Sequence, residues 1–131
     1  MVSRASDWIR QAVRDLEHAK RSIEIRHFEW ACFAAHQAAE KAVKALYQHL
    51  GMEVWGCSIS KMLEKFPEEY RPSRRLIAKA REIDKHYIAS RYPNFYPEGS
   101  PSEYYTLEEA ERIVKYAEEI VRYCRDKIVQ A

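Results

Sequence analysis

The segment ACFAAHQAAEKAVKAL, residues 31–46, constrains the fold more than any other part of the chain. It holds no Gly, no Pro and no apolar–polar alternation, so it reads as helix and not as strand. Its many alanines are strong helix formers with almost no side chain. Small side chains let neighbouring helices come close, which places this helix at the centre of a helical core. The helix is expected to run from about His27 to Leu50, with Gly51 supplying a left-handed C-cap.

The rest of the chain has the same period. Trp8, Ile9, Ala12, Val13, Leu16, Ala19 and Ile23 form one stripe on a first helix, which is expected to start after Ser6 or Asp7. A short helix follows in SISKMLEKF and ends at Pro67. Pro72 opens a fourth helix carrying Leu76, Ala80, Ile83 and Tyr87, which must stop before Pro93. Thr106 and Glu109 have capping-box spacing at the head of a last helix. Leu107, Ala110, Ile113, Val114, Ala117, Ile120, Val121, Cys124 and Ile128 form its inner face. The expectation is all-α: an antiparallel up-and-down bundle of four long helices and one short one, in a single domain spanning 1–131.

Composition narrows the function. Lysine and arginine total 22 against 20 acidic residues, a net charge of +2, which argues against binding nucleic acid by bulk charge alone. Three cysteines far apart, with no C-x-x-C, suggest reduced thiols and a cytoplasmic setting. No apolar run is long enough for a membrane span, and the charged N-terminal stretch does not read as a signal peptide. Glu24 and His27 have a di-iron-type spacing. Such a site needs the same pair on a second helix and carboxylates from two more, so no metal and no other cofactor is expected.

Two groups of residues stand out. His36, Gln37, Glu40, Lys41 and Lys44 interrupt the alanine-rich helix with a polar edge, and polar groups in such a setting need partners. The second group lies in REIDKHYIASRYPN, residues 81–94. Arg81 and His86, five apart, point about 140° from each other on a straight helix and are separated by about 7.5 Å of rise. A site using both needs a bent helix, a reaching arginine or a second chain. The loop that follows gathers Arg91 with five rings, Tyr92, Phe95, Tyr96, Tyr104 and Tyr105. A guanidinium there can grip phosphate with a fork, or it can cap carbonyls at the helix end.

Three segments in order resemble the HEPN domain (higher eukaryotes and prokaryotes nucleotide-binding domain). WIRQAVRDLEHAK is similar to the family's opening helix, CFAAHQAAEKAVKAL to its most recognisable segment, and HYIASRYPN to its Arg-Tyr-Pro turn. The resemblance implies a homodimer and a toxin–antitoxin-type module with a minimal nucleotidyltransferase from a neighbouring gene. It also implies a nucleotide or RNA ligand, with Arg91, Tyr92, Gln37, Glu40, Lys41 and Lys44 as binding residues. Many members are metal-independent ribonucleases with an Arg-x(4–6)-His motif, which Arg81 and His86 match. Three positions differ from nuclease members: Glu82 follows the arginine, Ile88 stands where some relatives carry a modifiable Tyr (here Tyr87, one place early), and Cys57 stands where many have His. The alternative within the same family is a non-catalytic helical subunit that docks or supports the nucleotidyltransferase.

Overall fold

The computed structural model describes residues 3–130, and all of its regular structure is helical. The helices are α1 (Ala5–Glu24), α2 (Phe28–His49), α3 (Ile59–Glu64), α4 (Arg74–Asp84), α5 (His86–Ala89), α6 (Pro101–Tyr104) and α7 (Leu107–Gln130). Single 3-10 turns occupy Glu68–Tyr70 and Pro93–Phe95. α2 sits at the centre, packed on α1 and α7 along its length and touching α3, α4, α5 and α6. Its alanines 31, 34, 35, 38, 39, 42 and 45 are all buried, as are Ala12 and Ala19 of α1 and Ala110 and Ala117 of α7. Backbones meet closely through these small residues. The bulk of the core comes from Leu46, Ile59, Met62, Leu63, Phe66, Ile83, Ile113 and Ile120.

Two helix ends use the same device with different residues. At the end of α2, Gly51 has φ +69°, its N–H donates to Gln48 O (3.1 Å), and that of Met52 donates to Tyr47 O (2.9 Å). This is the expected left-handed stop. At the end of α1, Arg26 adopts φ +62°, the one non-glycine residue with positive φ among those described. Arg26 N–H donates to Ile23 O (3.0 Å) and His27 N–H to Ser22 O (2.8 Å). The guanidinium of Arg26 then rests 5.2 Å from the Phe28 ring, which helps to offset the backbone strain.

Three local expectations are corrected. α1 starts at Ala5, ahead of Ser6 and Asp7. Ser3 Oγ accepts from Ala5 N–H (3.1 Å), and Asp7 sits inside the first turn, where a carboxylate is favoured by the helix dipole and meets Arg4 at 3.0 Å. α4 starts at Arg74, because Ser73 and not Pro72 opens it: Ser73 Oγ accepts from Leu76 N–H (3.2 Å). Thr106 Oγ1 does accept from Glu109 N–H (3.2 Å), but the Glu109 carboxylate turns instead towards His86. The capping box lies instead at the head of α6, where the N–H of Ser100 donates to the Glu103 carboxylate (2.7 Å).

α4 and α5 are divided at Lys85. Just before that division Asp84 leans onto α3. Its carboxylate accepts from Ile59 N–H (2.6 Å), Ser60 N–H (3.2 Å), Ser60 Oγ (2.6 Å) and Ser58 Oγ (3.2 Å). One side chain thus satisfies the free donors at the start of α3 from another element.

Candidate functional site

α5 carries chemistry on two faces. On the face towards α2, Arg91 follows the end of α5, and its Nε–H donates to Tyr87 O (3.0 Å). This satisfies a carbonyl that the terminating helix leaves free. The guanidinium carbon lies 4.3 Å from the centre of the Phe33 ring, 4.8 Å from Tyr87 and 5.0 Å from Tyr92. Three rings therefore surround the guanidinium. Among the described residues, no carboxylate or carbonyl accepts from its terminal nitrogens.

The polar edge of α2 continues from there. The Tyr87 ring lies tilted against His36, with ring centres 4.9 Å apart and planes inclined by 40°. His36 is fully buried. Its Nε2 meets the Cys57 carbonyl at 3.1 Å and its Nδ1 meets Gln37 Nε2 at 3.3 Å. A carbonyl only accepts, so Nε2 carries the proton and Nδ1 accepts from the Gln37 amide. Burial lowers the pKa of His36, opposed first by Glu40, whose carboxylate stands 3.8 Å away. Glu40 accepts from Lys44 at 2.8 Å, whereas Lys41 turns to α1 and donates to Asp15 at 2.6 Å. The structure thus brings Gln37, Glu40 and Lys44 into one line with His36 and Tyr87, leading to Arg91 and Tyr92. Lys41 is diverted from that line.

On the other face of α5, His86 is buried. Its Nδ1 lies 2.7 Å from the Tyr105 hydroxyl, and its Nε2 stands 3.8 Å from Glu109 Oε2. Burial lowers its pKa to about 4, with Glu82 pulling the other way, so the imidazole is neutral at pH 7. Arg81 is not part of this arrangement. It is exposed and donates to Glu64 of α3 at 3.0 Å. Within one chain, the two residues of the five-apart motif have different partners.

Sequence reasoning missed Phe33, Asp84, Tyr87 as a clamp on Arg91 and Tyr105 as the partner of His86. Phe33 had a signal, since it lies four residues before Gln37 on the same edge. The contact of Tyr105 with His86 had none, because the two residues lie far apart in the chain. The three thiols are free: Cys32 and Cys124 are buried and their pKa values raised by burial, and Cys57 is partly exposed. Among the described residues, no three His, Cys, Asp or Glu side chains gather as a metal site, and no helix is long and apolar enough to cross a membrane.

The geometry has relatives. The chain is 29% identical over 136 residues to a Methanocaldococcus jannaschii protein named "Putative toxin MJ1304", covering 95% of this chain and 88% of that one. Three solved structures are each 40% identical to it. TT1696 from Thermus thermophilus aligns with a TM-score of 0.93 over 96% of this chain and 99% of its own. ST0689, described as an archaeal HEPN homologue, aligns at 0.82 over 97% and 99%. The HEPN domain protein TM0613 from Thermotoga maritima aligns at 0.78 over 95% and 99%. The model of the HEPN domain family matches residues 5–127, and the chain belongs to that family.

Proposed function

We propose that the protein is a toxin-type HEPN protein that binds a nucleotide or RNA at the Arg91 surface, as the partner of a minimal nucleotidyltransferase. The observation that supports this reading is the state of Arg91: a guanidinium oriented by three rings, anchored through Nε, with its terminal nitrogens turned to no protein acceptor among the described residues. A planar fork of this kind matches a phosphate, and exposed Tyr92 and Trp30 offer ring faces on which bases stack. The near-neutral net charge fits a ligand held by a local site more than by a broad basic face. The toxin name of the M. jannaschii relative agrees with this class of protein.

In the finer form of this reading the protein is a metal-independent ribonuclease and a homodimer. His86 then takes the proton of a ribose 2′-hydroxyl, and an arginine neutralises the phosphate. Because Arg81 and His86 have separate partners within one chain, that chemistry needs a second copy to complete the site. The test is titration of short single-stranded RNA and nucleoside monophosphates into the isolated protein, followed by incubation of labelled RNA without divalent metal. Saturable binding supports the reading, and cleavage lost in His86→Ala supports its finer form. The absence of any binding removes both.

A second reading is favoured by exposed aromatic surface. Trp30 is 48% and Trp55 85% exposed. Exposed tryptophans are frequent anchors of protein interfaces, as expected of a non-catalytic subunit that docks the nucleotidyltransferase. Co-purification with the product of an adjacent nucleotidyltransferase gene, lost in Trp30→Ala or Trp55→Ala, would select this reading.

A further inference from the structure

The pocket on the α7 side of α5 is separate from the Arg91 surface. It encloses about 400 Å³, with Glu82, His86 and Glu109 in its wall and the rings of Phe95, Tyr104 and Tyr105 around them. His86 is more than nine-tenths buried, and its Nδ1 is taken by Tyr105. Its Nε2 has no hydrogen-bond partner among the described residues, and no buried side-chain atom there is left unsatisfied, so this nitrogen is reachable from the pocket. Glu109 Oε2 faces it across 3.8 Å. That gap is too wide for a direct hydrogen bond. A single donor nitrogen placed between the two atoms reaches both at about 2.7–3.2 Å. The Glu109 carboxylate is half-buried and meets no lysine or arginine within ion-pair distance among the described residues.

We propose that this pocket binds the ammonium group of a small aliphatic amine, bridged between Glu109 Oε2 and His86 Nε2 and surrounded by aromatic rings. The pocket wall carries two carboxylates, Glu82 and Glu109, against one lysine, while Arg112 acts on His86 from α7 without lining the pocket. That lysine, Lys85, is mostly exposed and already held by Glu82 at 3.0 Å. Phe95, Tyr104 and Tyr105 in the wall offer apolar surface to the alkyl chain of such an amine. The ammonium donates to Nε2 when the imidazole proton sits on Nδ1 and is given to the Tyr105 oxygen. A neutral imidazole is required, and the burial of His86 keeps it neutral at pH 7. A metal ion is a poorer fit, since no third ligand of the usual kinds joins the pair among the described residues. The proposal rests on this pocket alone and stands whether or not RNA binds at Arg91. An amine seated here would also occupy the nitrogen that a cleavage reaction by His86 needs.

The test is isothermal titration of the full chain with putrescine and with spermidine, and with 1,4-butanediol as the neutral counterpart. The expected result is saturable binding of the amines, one per chain, and none of the diol. Glu109→Gln keeps the shape of the site but removes its charge, and is expected to weaken amine binding by about tenfold or more, as for loss of a charge-assisted hydrogen bond. Glu53→Gln, on an exposed loop elsewhere, is expected to leave it unchanged. The nitrogen-15 signals of His86 are expected to shift with the amine and not with the diol. Equal binding of the diol, unchanged amine binding by Glu109→Gln, or no saturation by about 10 mM amine would overturn the proposal.

Discussion

The two faces of α5 hold their charged and titratable groups in opposite ways. Arg91 faces α2 with its charge held against the rings of Phe33, Tyr87 and Tyr92. His86 faces α7 with its charge suppressed: burial keeps it neutral, and Tyr105 occupies one of its nitrogens. A permanent cation suits an anionic ligand; a neutral base in an acidic, ring-lined pocket suits a proton or a cationic one. One helix of four residues can serve both because each neighbour supplies a different environment.

Breaking the frame that holds α5 in place should have the largest effect. Asp84 ends α4 just ahead of α5 and caps α3 with four hydrogen bonds. Asp84→Ala is expected to cost about 2–3 kcal/mol, because two backbone N–H groups lose a charged acceptor. Chemical denaturation would show this as a lower midpoint with an unchanged slope. Both faces should loosen together. If only one did, α5 would not be the shared support.

Tyr105→Phe tests the His86 face alone. It leaves Nδ1 without its partner and is expected to cost about 1–2 kcal/mol while sparing the Arg91 surface. A loss of ligand binding at Arg91 in this variant would show that the two faces are not independent.

The same face predicts a pH dependence. In the unfolded chain, His86 protonates near its ordinary value of about 6.5. In the folded chain it stays neutral until pH approaches about 4. Between those values the unfolded state binds more protons, so stability is full above about pH 6.5 and falls as pH drops towards about 4. The slope contributed by one such group is at most about 1.4 kcal/mol per pH unit. His36, lowered in the same direction, adds to it. Thermal melts across this range should slope less steeply for His86→Phe than for wild type.

The smallest effect is expected at Arg81. Its pair with Glu64 is largely exposed, so Arg81→Ala should change stability by no more than about 0.5 kcal/mol. A large destabilisation would mean that this arginine has a structural role the ion pair does not reveal.

The architecture was legible in the sequence because it is written in periodicity. The buried alanines of α2, the apolar stripes of α1 and α7 and the glycine stop at Gly51 are local patterns that any chain of this kind would show. The positions that were misread or passed over depend on residues distant in sequence or on competing caps. Asp84 looks like a surface acid until α3 is packed against it. Arg26 takes a left-handed conformation that nothing local announces. Thr106 and Glu109 have the spacing of a reciprocal cap, yet Glu109 is drawn to His86. The candidate site was half legible. The polar edge of α2 and the choice between two roles for Arg91 were visible in the sequence. The family resemblance paired Arg81 with His86, whereas helix geometry already pointed them about 140° apart, and within one chain they have different partners. No sequence rule says that Phe33 clamps Arg91, because that contact joins two elements far apart in the chain.

Arg91→Lys tests the central claim most directly. Lysine keeps the charge but loses both the Nε bond to Tyr87 and the planar fork. Titration of short RNA and nucleoside monophosphates into wild type and variant, with thermal melts alongside, separates anchoring from recognition. The account predicts a modest stability loss of about 0.5–1.5 kcal/mol for the one hydrogen bond, and a fall in affinity of about tenfold or more for the lost forked contact. Unchanged affinity in the variant, or no binding by wild type, would contradict it.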